Sequence, residues 1–356
     1  MGGRLNRYLK RWHLGKRHRH QGFTLLEVLV SMAVASIVVS GLLFLVVDIL
    51  RIEQRETRLD QVQQDSQRAL DFIRNDLQEA VYVYPDPTAL RAALNDPDMP
   101  AGEDILAFWR PVPIDEADIP ADIATCTGSG IALADCEELL TRRAAYSLVM
   151  YIHAPDQAGD VWDGLSRLVR YELPRYEKVG GNLQQRAGYV DPSGVSATTS
   201  QINDFEGWAP SAAVDGRDDV LVDYISVPID TSSSGSPTAL DCDALTGTTG
   251  LYDLSPPDAA AVTAGGNTVS TGFFACVRDP NPDLSELTEI DQRAQASGAN
   301  FRSGQDVYLF LRGDASRSAG DDIVDSPLNS TRPRSRLPVL TTQVLVRGVV
   351  DRGGSN

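Results

Sequence analysis

Proline is missing from the first 84 residues of this 356-residue chain, and all 20 prolines lie from Pro85 onward. Because proline removes a backbone donor and breaks helices, its absence permits one long, unbroken helix at the N-terminal end. The region after Pro85 must supply the turns, and it is long enough to bury a core. We therefore expect a long helix followed by a globular body.

Basic side chains are scarce in that body. Lys178 is the only lysine after residue 22, whereas residues 1–22 hold seven Arg and Lys residues and no acidic one. The formal net charge of the chain is −17, so the part without those seven cations carries −24. Since a surface this acidic repels phosphate backbones, we expect no nucleic acid among the partners of the folded part.

Residues typical of catalytic and metal centres are also few. His153 is the only histidine after residue 22, and a lone histidine at the end of a strand is more often structural than catalytic. No nucleophile elbow, zinc-protease, phosphate-loop or dinucleotide-binding pattern is present. A stretch at 279–283 begins like a calcium loop but lacks the turn glycine and the final glutamate. We expect no enzymatic activity, no cofactor and no metal, and we leave calcium in the acidic loops open.

An ordinary secretory signal is missing too, because residues 1–22 are polar and basic, with no apolar core and no small-residue cleavage site. The 20 residues from Val28 to Val47 carry no charge and are enough to cross a bilayer as a helix. Since the basic flank precedes this stretch, we expect residues 1–22 to stay in the cytoplasm and the body to be exported, with a single pass through the membrane.

Beyond the uncharged stretch the pattern becomes amphipathic, with small and apolar side chains at steps of three and four residues. These are Leu59, Val62, Ser66, Ala69, Ile73, Leu77 and Ala80. The opposite face carries Arg55, Asp60, Gln64, Arg68, Asp71, Asn75 and Gln78. We predict one helix from Phe23 to Tyr84, with a membrane half over 23–50 and an amphipathic half over 51–84 that packs on a sheet.

Seven stretches of the body have the apolar or alternating pattern of strands. They are Ile105–Arg110, Tyr146–His153, Leu165–Leu173, Val220–Val227, Gly272–Arg278, Asp306–Arg312 and Val339–Val350. No strong helical period lies between them, so we predict an α+β fold in which the long helix packs on an antiparallel sheet. The globular domain covers 85–351, with long loops at 186–206 and 229–271 and a mobile tail at 352–356.

The cysteines Cys126, Cys136, Cys242 and Cys276 all lie in the body. An even number in an exported region fits two disulfides, and four cysteines allow three connectivities. We favour the pairs that are close in sequence, Cys126–Cys136 and Cys242–Cys276. No CxxC pair is present, which argues against a zinc ribbon and a redox site.

The junction between the basic segment and the uncharged stretch reads Gly22-Phe23-Thr24-Leu25-Leu26-Glu27-Val28. It resembles the signal of type IV pilins and of the pseudopilins of type II secretion. The resemblance implies that a prepilin peptidase removes a leader of residues 1–22 by cutting after Gly22 and then methylates the new N-terminus at Phe23. It also implies residence in the inner membrane with the body in the periplasm. The implied partners are that peptidase, other pilins or pseudopilins, and an inner-membrane assembly platform.

Glu27 stands at the fifth position of the mature chain, where this family has a glutamate. A carboxylate inside a membrane span is costly and is by default functional. In the family it pairs with the N-terminal amine of a neighbouring subunit and fixes the axial register. The resemblance therefore implies contact between Glu27 of one subunit and the amine at residue 23 of another.

The body is larger than that of a major pilin, and the segment Gln67–Leu77 resembles large minor pilins and J-type pseudopilins. Those subunits are thought to lie at the filament tip and to prime assembly, so we expect this chain to initiate or cap a filament. A tip adhesin that uses the loop at 229–271 is an alternative, and a membrane-anchored enzyme that uses His153 is a third. The sequence leaves open a type IV pilus, a type II secretion system or a polysaccharide-export filament.

Overall fold

The first helix, α1, begins at Leu25 and continues without interruption to Gln78. The computed structural model describes residues 24–121, 131, 133–157, 159, 161–180, 182–193, 205–227, 238–248, 250–264, 267–279, 305–315 and 337–347. The chain divides into two compact units, Met1–Thr57 and Arg58–Asn356, and α1 starts in the first and ends in the second.

In the first unit, Thr24 caps α1. Its hydroxyl accepts the backbone N–H of Glu27 at 3.3 Å, and its carbonyl accepts the N–H groups of Glu27 and Val28. Thr-x-x-Glu is the capping-box sequence that commonly begins a helix. The side chains described from Leu25 to Thr57 are exposed, and by length and composition this helix is apolar enough to cross a membrane.

The second unit contains three further helices, one 3₁₀ turn and fourteen strands among its described residues. The helices are α2 (Thr88–Leu94), α3 (Leu133–Arg142) and α4 (Cys242–Thr246), and the 3₁₀ turn is Glu116–Asp118. The strands are β1 (Tyr82–Val83), β2 (Glu103–Pro113), β3 (Ala144–Pro155), β4 (Ser166–Pro174), β5 (Tyr176–Val179), β6 (Asn182–Gln185), β7 (Arg217–Val222), β8 (Thr238–Ala239), β9 (Tyr252–Ser255), β10 (Ala260–Ala264), β11 (Asn267–Ser270), β12 (Phe273–Arg278), β13 (Asp306–Leu311) and β14 (Leu340–Leu345).

The larger sheet has five antiparallel strands in the order β1-β2-β3-β4-β7. Side chains alternate between its two faces, and both faces are apolar. The face toward α1 presents Phe108, Val149, Tyr151 and Leu168. The other face presents Trp109, Met150 and Leu173, and it packs against α2 and against the side chains of Tyr189 and Trp208. The sheet is therefore buried on both sides.

The second sheet has four antiparallel strands in the order β14-β13-β12-β9. Phe273, Leu309 and Val344 join the same core as the α1 face of the larger sheet. The buried amide of Gln305 connects the two sheets, because it accepts the Val83 N–H and donates to the Val83 carbonyl, both at 2.9 Å. Two smaller sheets, β11-β10-β8 and β5-β6, complete the unit.

The α+β fold with a long apolar helix and an antiparallel sheet is confirmed. The predicted inward face of α1 is buried at Val62, Ser66, Ala69, Ile73, Leu77 and Ala80, and Leu59 is half-buried. The members of the opposite face whose side chains are described are exposed. The step of three and four residues thus gave the orientation of this half of the helix correctly.

The predicted end of the helix at Tyr84 was wrong. The helix stops at Gln78, and Tyr82–Val83 forms the edge strand β1 instead. The Val81 N–H donates to the Trp109 carbonyl at 2.8 Å, and the Tyr84 N–H donates to the Ala107 carbonyl at 2.9 Å. Pairing with β2 therefore takes the backbone groups that another helical turn would have used.

Three other expectations differ from the structure. The stretch 229–271 was expected to be a loop, but its described part contains α4 and the strands β8, β9, β10 and β11. Helix α3 was missed because its amphipathic period lasts for only ten residues. The strands expected at Val220–Val227 and Val339–Val350 are shorter, at Arg217–Val222 and Leu340–Leu345. The tail 352–356 lies outside the described residues.

Candidate functional site

Glu27 lies in the first turn of α1, two residues after its start. Its side chain is exposed, and within the described residues its carboxylate forms no hydrogen bond or ion pair. An acidic side chain in a first turn is favoured by the partial positive charge at a helix N-terminus. Gly22 and Phe23, the expected cleavage and methylation residues, lie outside the described residues.

The neighbouring turns satisfy their own polar groups. The Ser31 hydroxyl donates to the carbonyls of Glu27 and Val28 at 2.8 and 3.0 Å, and the Ser36 hydroxyl donates to the Ala33 carbonyl at 2.8 Å. A Cβ added at Gly41 would meet no atom within 4 Å, so no contact inside this chain requires glycine there. These turns therefore form an exposed apolar surface on which the Glu27 carboxylate stands out.

His153, the residue on which the enzyme alternative depended, lies in the core. Its side chain is fully buried, and its Nε2 is 2.7 Å from the hydroxyl of Ser166, which donates to the Ile225 carbonyl. Burial lowers the pKa of His153 to about 4, so the ring is neutral at physiological pH. A neutral, enclosed ring with this partner has a structural role.

The Arg312-Gly313-Asp314 tripeptide is packed against α1. Gly313 is buried, and a Cβ there would lie 2.7 Å from Cγ1 of Val62. Asp314 is also buried, and its N–H donates to the Tyr224 carbonyl at 2.7 Å. The tripeptide therefore belongs to the contact between α1 and the second sheet.

An acidic cluster of Asp96, Asp98 and Asp215 is the one group in the described part of the chain whose carboxylates come close enough to suggest a metal site. The Asp96 carboxylate already accepts hydrogen bonds from the Tyr171 hydroxyl and from the N–H groups of Gly216 and Asp98. Burial alone would raise the pKa of Asp96, but these hydrogen bonds outweigh it and lower that pKa. The cluster thus closes the turn after α2 with protein donors.

The cysteines lie where cross-links stabilise the body. Cys242 and Cys276 form a disulfide that joins α4 to β12. Cys136, which is buried on α3, is also disulfide-bonded. Cys126 lies outside the described residues.

Asp76 forms an ion network that the sequence reasoning missed. It is buried on α1, and its carboxylate accepts Arg110 of β2 at 2.9 Å, Arg170 of β4 at 2.8 Å and the Tyr151 hydroxyl of β3 at 2.8 Å. Glu172 pairs with Arg170 at 2.6 Å. The sequence does contain a signal for this network. Arg110 and Arg170 lie at inward positions of two strands, and a buried arginine needs an acidic partner.

Comparison with known proteins gives one match, to the sequence model described as a prokaryotic N-terminal methylation motif, over residues 17–43. The chain carries a prokaryotic N-terminal methylation motif. This motif covers Glu27 and the capped start of α1, and it supports a type IV pilin-like protein. It implies processing by a prepilin peptidase and assembly with other pilins, and it suggests a structural subunit rather than an enzyme. The motif and the long apolar helix fit a membrane-anchored pilin.

The match ends at residue 43, so it does not extend into the second unit. No curated protein and no solved structure matches the chain.

Proposed function

We propose that the chain is a large minor pilin or pseudopilin that initiates or caps a filament after its leader is removed. Cleavage after Gly22 and methylation at Phe23 would leave a mature chain anchored in the inner membrane through α1, with the body in the periplasm. The large body, built on two main sheets, supports a minor rather than a major subunit. The adhesin alternative stays a prediction of the sequence alone.

The observation that carries this proposal is the Glu27 carboxylate, which stands on an apolar, exposed helical surface and has no hydrogen bond or ion pair with the residues that the structure describes. Such a group is costly in a membrane unless it meets an opposite charge, and losing one partner of a buried pair costs about 3–5 kcal/mol. Cleavage after Gly22 creates that opposite charge as the α-ammonium of residue 23. We therefore propose that Glu27 of an incoming subunit pairs with the amine of a neighbour.

The test compares Glu27→Ala with Glu53→Ala, which removes an exposed glutamate from the same helix farther from its start. Mass spectrometry of the membrane fraction measures removal of residues 1–22, and the amount of the subunit in the sheared filament fraction measures its incorporation. We expect both variants to be cleaved and only Glu27→Ala to be lost from filaments. Equal incorporation of the two variants would refute the pairing.

A second variant tests the processing site. Gly22→Leu places a bulky side chain before the scissile bond and should leave full-length precursor in the membrane, because glycine there gives the peptidase access to the backbone. Normal removal of residues 1–22 from that variant would contradict the assigned cleavage position.

A further inference from the structure

The connection between β3 and β4 exposes two apolar side chains. Val161 is 90% exposed and Trp162 is 40% exposed, whereas Trp109 and Trp208 are buried. We call Val161 and Trp162 the apolar tip. An indole combines an apolar ring with one polar N–H, which suits the boundary between lipid and water. The tip therefore presents side chains of the kind that lie where a protein meets a membrane surface.

The residues that follow β7 hold this tip in place. The Asp223 carboxylate accepts the N–H groups of Asp163 and Gly164 at 3.2 and 3.0 Å. Gly164 lies directly against the neighbouring backbone, since a Cβ there would be 2.5 Å from the Tyr224 nitrogen. The apolar tip therefore stands on a segment that is fixed to the second unit by its backbone.

The same segment places the tip close to the point where the chain enters the second unit. Ile225, the residue after Tyr224, forms a bridge with Gly313. Gly313 packs against Val62, because a Cβ at Gly313 would lie 2.7 Å from Cγ1 of Val62. Val62 is four residues after Arg58, the first residue of this unit. The anchor of the tip and the entry of α1 are therefore neighbours.

A second contact gives the direction of α1 along the larger sheet. The carboxylate of Asp76, 14 residues after Val62, accepts the hydroxyl of Tyr151, which lies four residues before the end of β3 at Pro155. Followed from Asp76 back to Val62, α1 therefore runs toward the end of β3 from which the tip projects. The apolar tip and the start of α1 in this unit lie at the same end of the sheet.

We propose that the apolar tip inserts into the headgroup layer of the membrane that α1 crosses, and so attaches the unassembled subunit at a second point. The contact rests on the proposed function, because α1 must first anchor the chain in that membrane. Two side chains bury too little area to hold a protein on lipid by themselves. The anchor supplies the rest, since it keeps the tip at a high effective concentration near the surface.

The lengths of the two segments allow this contact. The 15 residues of α1 from Val47, the last of the uncharged stretch, to Val62 span about 22 Å of helix. Val161 is six residues past Pro155, which is at most about 20 Å of extended chain. The headgroup layer is about 5 Å thick on each side of the hydrocarbon core. A tip that projects from this end of the sheet can therefore reach the headgroups.

The charges beside the tip select the kind of lipid. Asp163 is exposed next to Trp162, and Asp156 at the base of the tip has Arg167 at 4.0 Å. Since this surroundings holds more acid than base, anionic headgroups are repelled from it. The ligand is therefore the headgroup layer of a zwitterionic lipid such as phosphatidylethanolamine.

Fluorescence quenching in nanodiscs tests the contact, with one copy of the full chain per disc so that the tip has no second copy to touch. The discs contain phosphatidylcholine and phosphatidylethanolamine, with a nitroxide quencher on a fraction of the headgroups. Val161→Cys carries the fluorophore, because the described cysteines of the native chain are already in disulfides. Val179→Cys is the matched control, because Val179 is an exposed valine in β5, which follows the opposite end of β4.

We expect the label at residue 161 to be quenched at least about threefold more strongly than the label at residue 179. Adding Trp162→Ala should bring the two values together, and Trp162→Phe should largely retain the difference. Equal quenching at the two positions, in discs that hold the chain, would overturn the contact and leave the proposed function standing. A label at residue 161 that is shielded only when several copies share a disc would indicate a protein partner and would also overturn it. Failure of the chain to enter discs would overturn the anchoring in the proposed function, and the contact with it.

Discussion

Replacing Asp76 with alanine tests how α1 is attached to the larger sheet. The substitution removes an acceptor from the guanidinium groups of Arg110 and Arg170 and from the Tyr151 hydroxyl, at 2.8–2.9 Å. Breaking a buried ion pair by removing one partner costs about 3–5 kcal/mol, because the other charge stays buried.

The arginines are not left entirely alone. Arg170 keeps Glu172 at 2.6 Å, and Arg110 keeps the exposed Glu79 at 3.1 Å. The Tyr151 hydroxyl likewise keeps a hydrogen bond with the Arg170 side chain. We therefore expect Asp76→Ala to lower the free energy of unfolding by about 3 kcal/mol, at the lower end of the range for buried pairs.

Denaturant unfolding of the full chain in detergent, followed by the fluorescence of the buried Trp109 and Trp208, measures this change. Asp71→Ala is the control, because Asp71 is on the exposed face of the same helix, and it should change the free energy by less than about 0.5 kcal/mol. Asp76→Asn keeps the side-chain volume and removes the charge, so it separates the cost of losing the ion pairs from the cost of the cavity that alanine would leave. If the unfolding midpoint of Asp76→Ala equals that of Asp71→Ala, the Asp76 network does not stabilise the packing of α1 on the larger sheet.

Two further predictions concern the body. Burial, with a smaller contribution from Asp258, raises the pKa of Glu103 to about 7, so the folded state holds a proton that the unfolded state releases near pH 4.5. The free energy of unfolding should then fall as pH rises from about 4.5 to 7, by no more than about 1 kcal/mol once solvent screening is allowed for. Glu103→Gln should abolish this pH dependence, measured as the difference between the denaturation midpoints at pH 5 and pH 8. An unchanged difference would contradict the raised pKa of Glu103. Gly313→Ala should lower the free energy of unfolding by about 1–3 kcal/mol, because its Cβ would lie 2.7 Å from Val62 Cγ1. Val62→Ala in the same chain should recover part of that loss, as measured by thermal unfolding. An unchanged stability of Gly313→Ala would show that α1 can shift to make room for the added Cβ.

The long helix was predictable because its signals are local and repeated. An uncharged stretch gave the apolar half, and the recurrence from Val62 to Leu77 gave the buried face without any knowledge of the sheet. Its end was not predictable, because it is set by the hydrogen bonds of Val81 and Tyr84 to Trp109 and Ala107, which belong to another element, the strand β2. Competition between helix and sheet for the same backbone groups is a tertiary effect.

The features of the body that the sequence did not predict also depend on contacts between distant segments. The strand Tyr252–Ser255 is short and polar in context, and it exists because it pairs with β12 beside the Cys242–Cys276 disulfide. Asp76 looked like one more acid on a helix until Arg110 and Arg170 met it from two strands. The Cys242–Cys276 pair and Glu27 could be singled out in advance, because cysteines close in sequence and a charge beside an apolar stretch are local signals.

The hydrogen bonds of Ser31 and Ser36 have a consequence for the transfer of the helix from a membrane into a filament. Each hydroxyl uses a carbonyl of its own helix as its acceptor, so neither needs water, lipid headgroups or a neighbour. A helix of this kind can pass from lipid surroundings to protein surroundings without exchanging any of those hydrogen bonds. Under the proposed pairing, the group whose surroundings would change most is the Glu27 carboxylate, which would gain the amine of a neighbouring subunit as its partner.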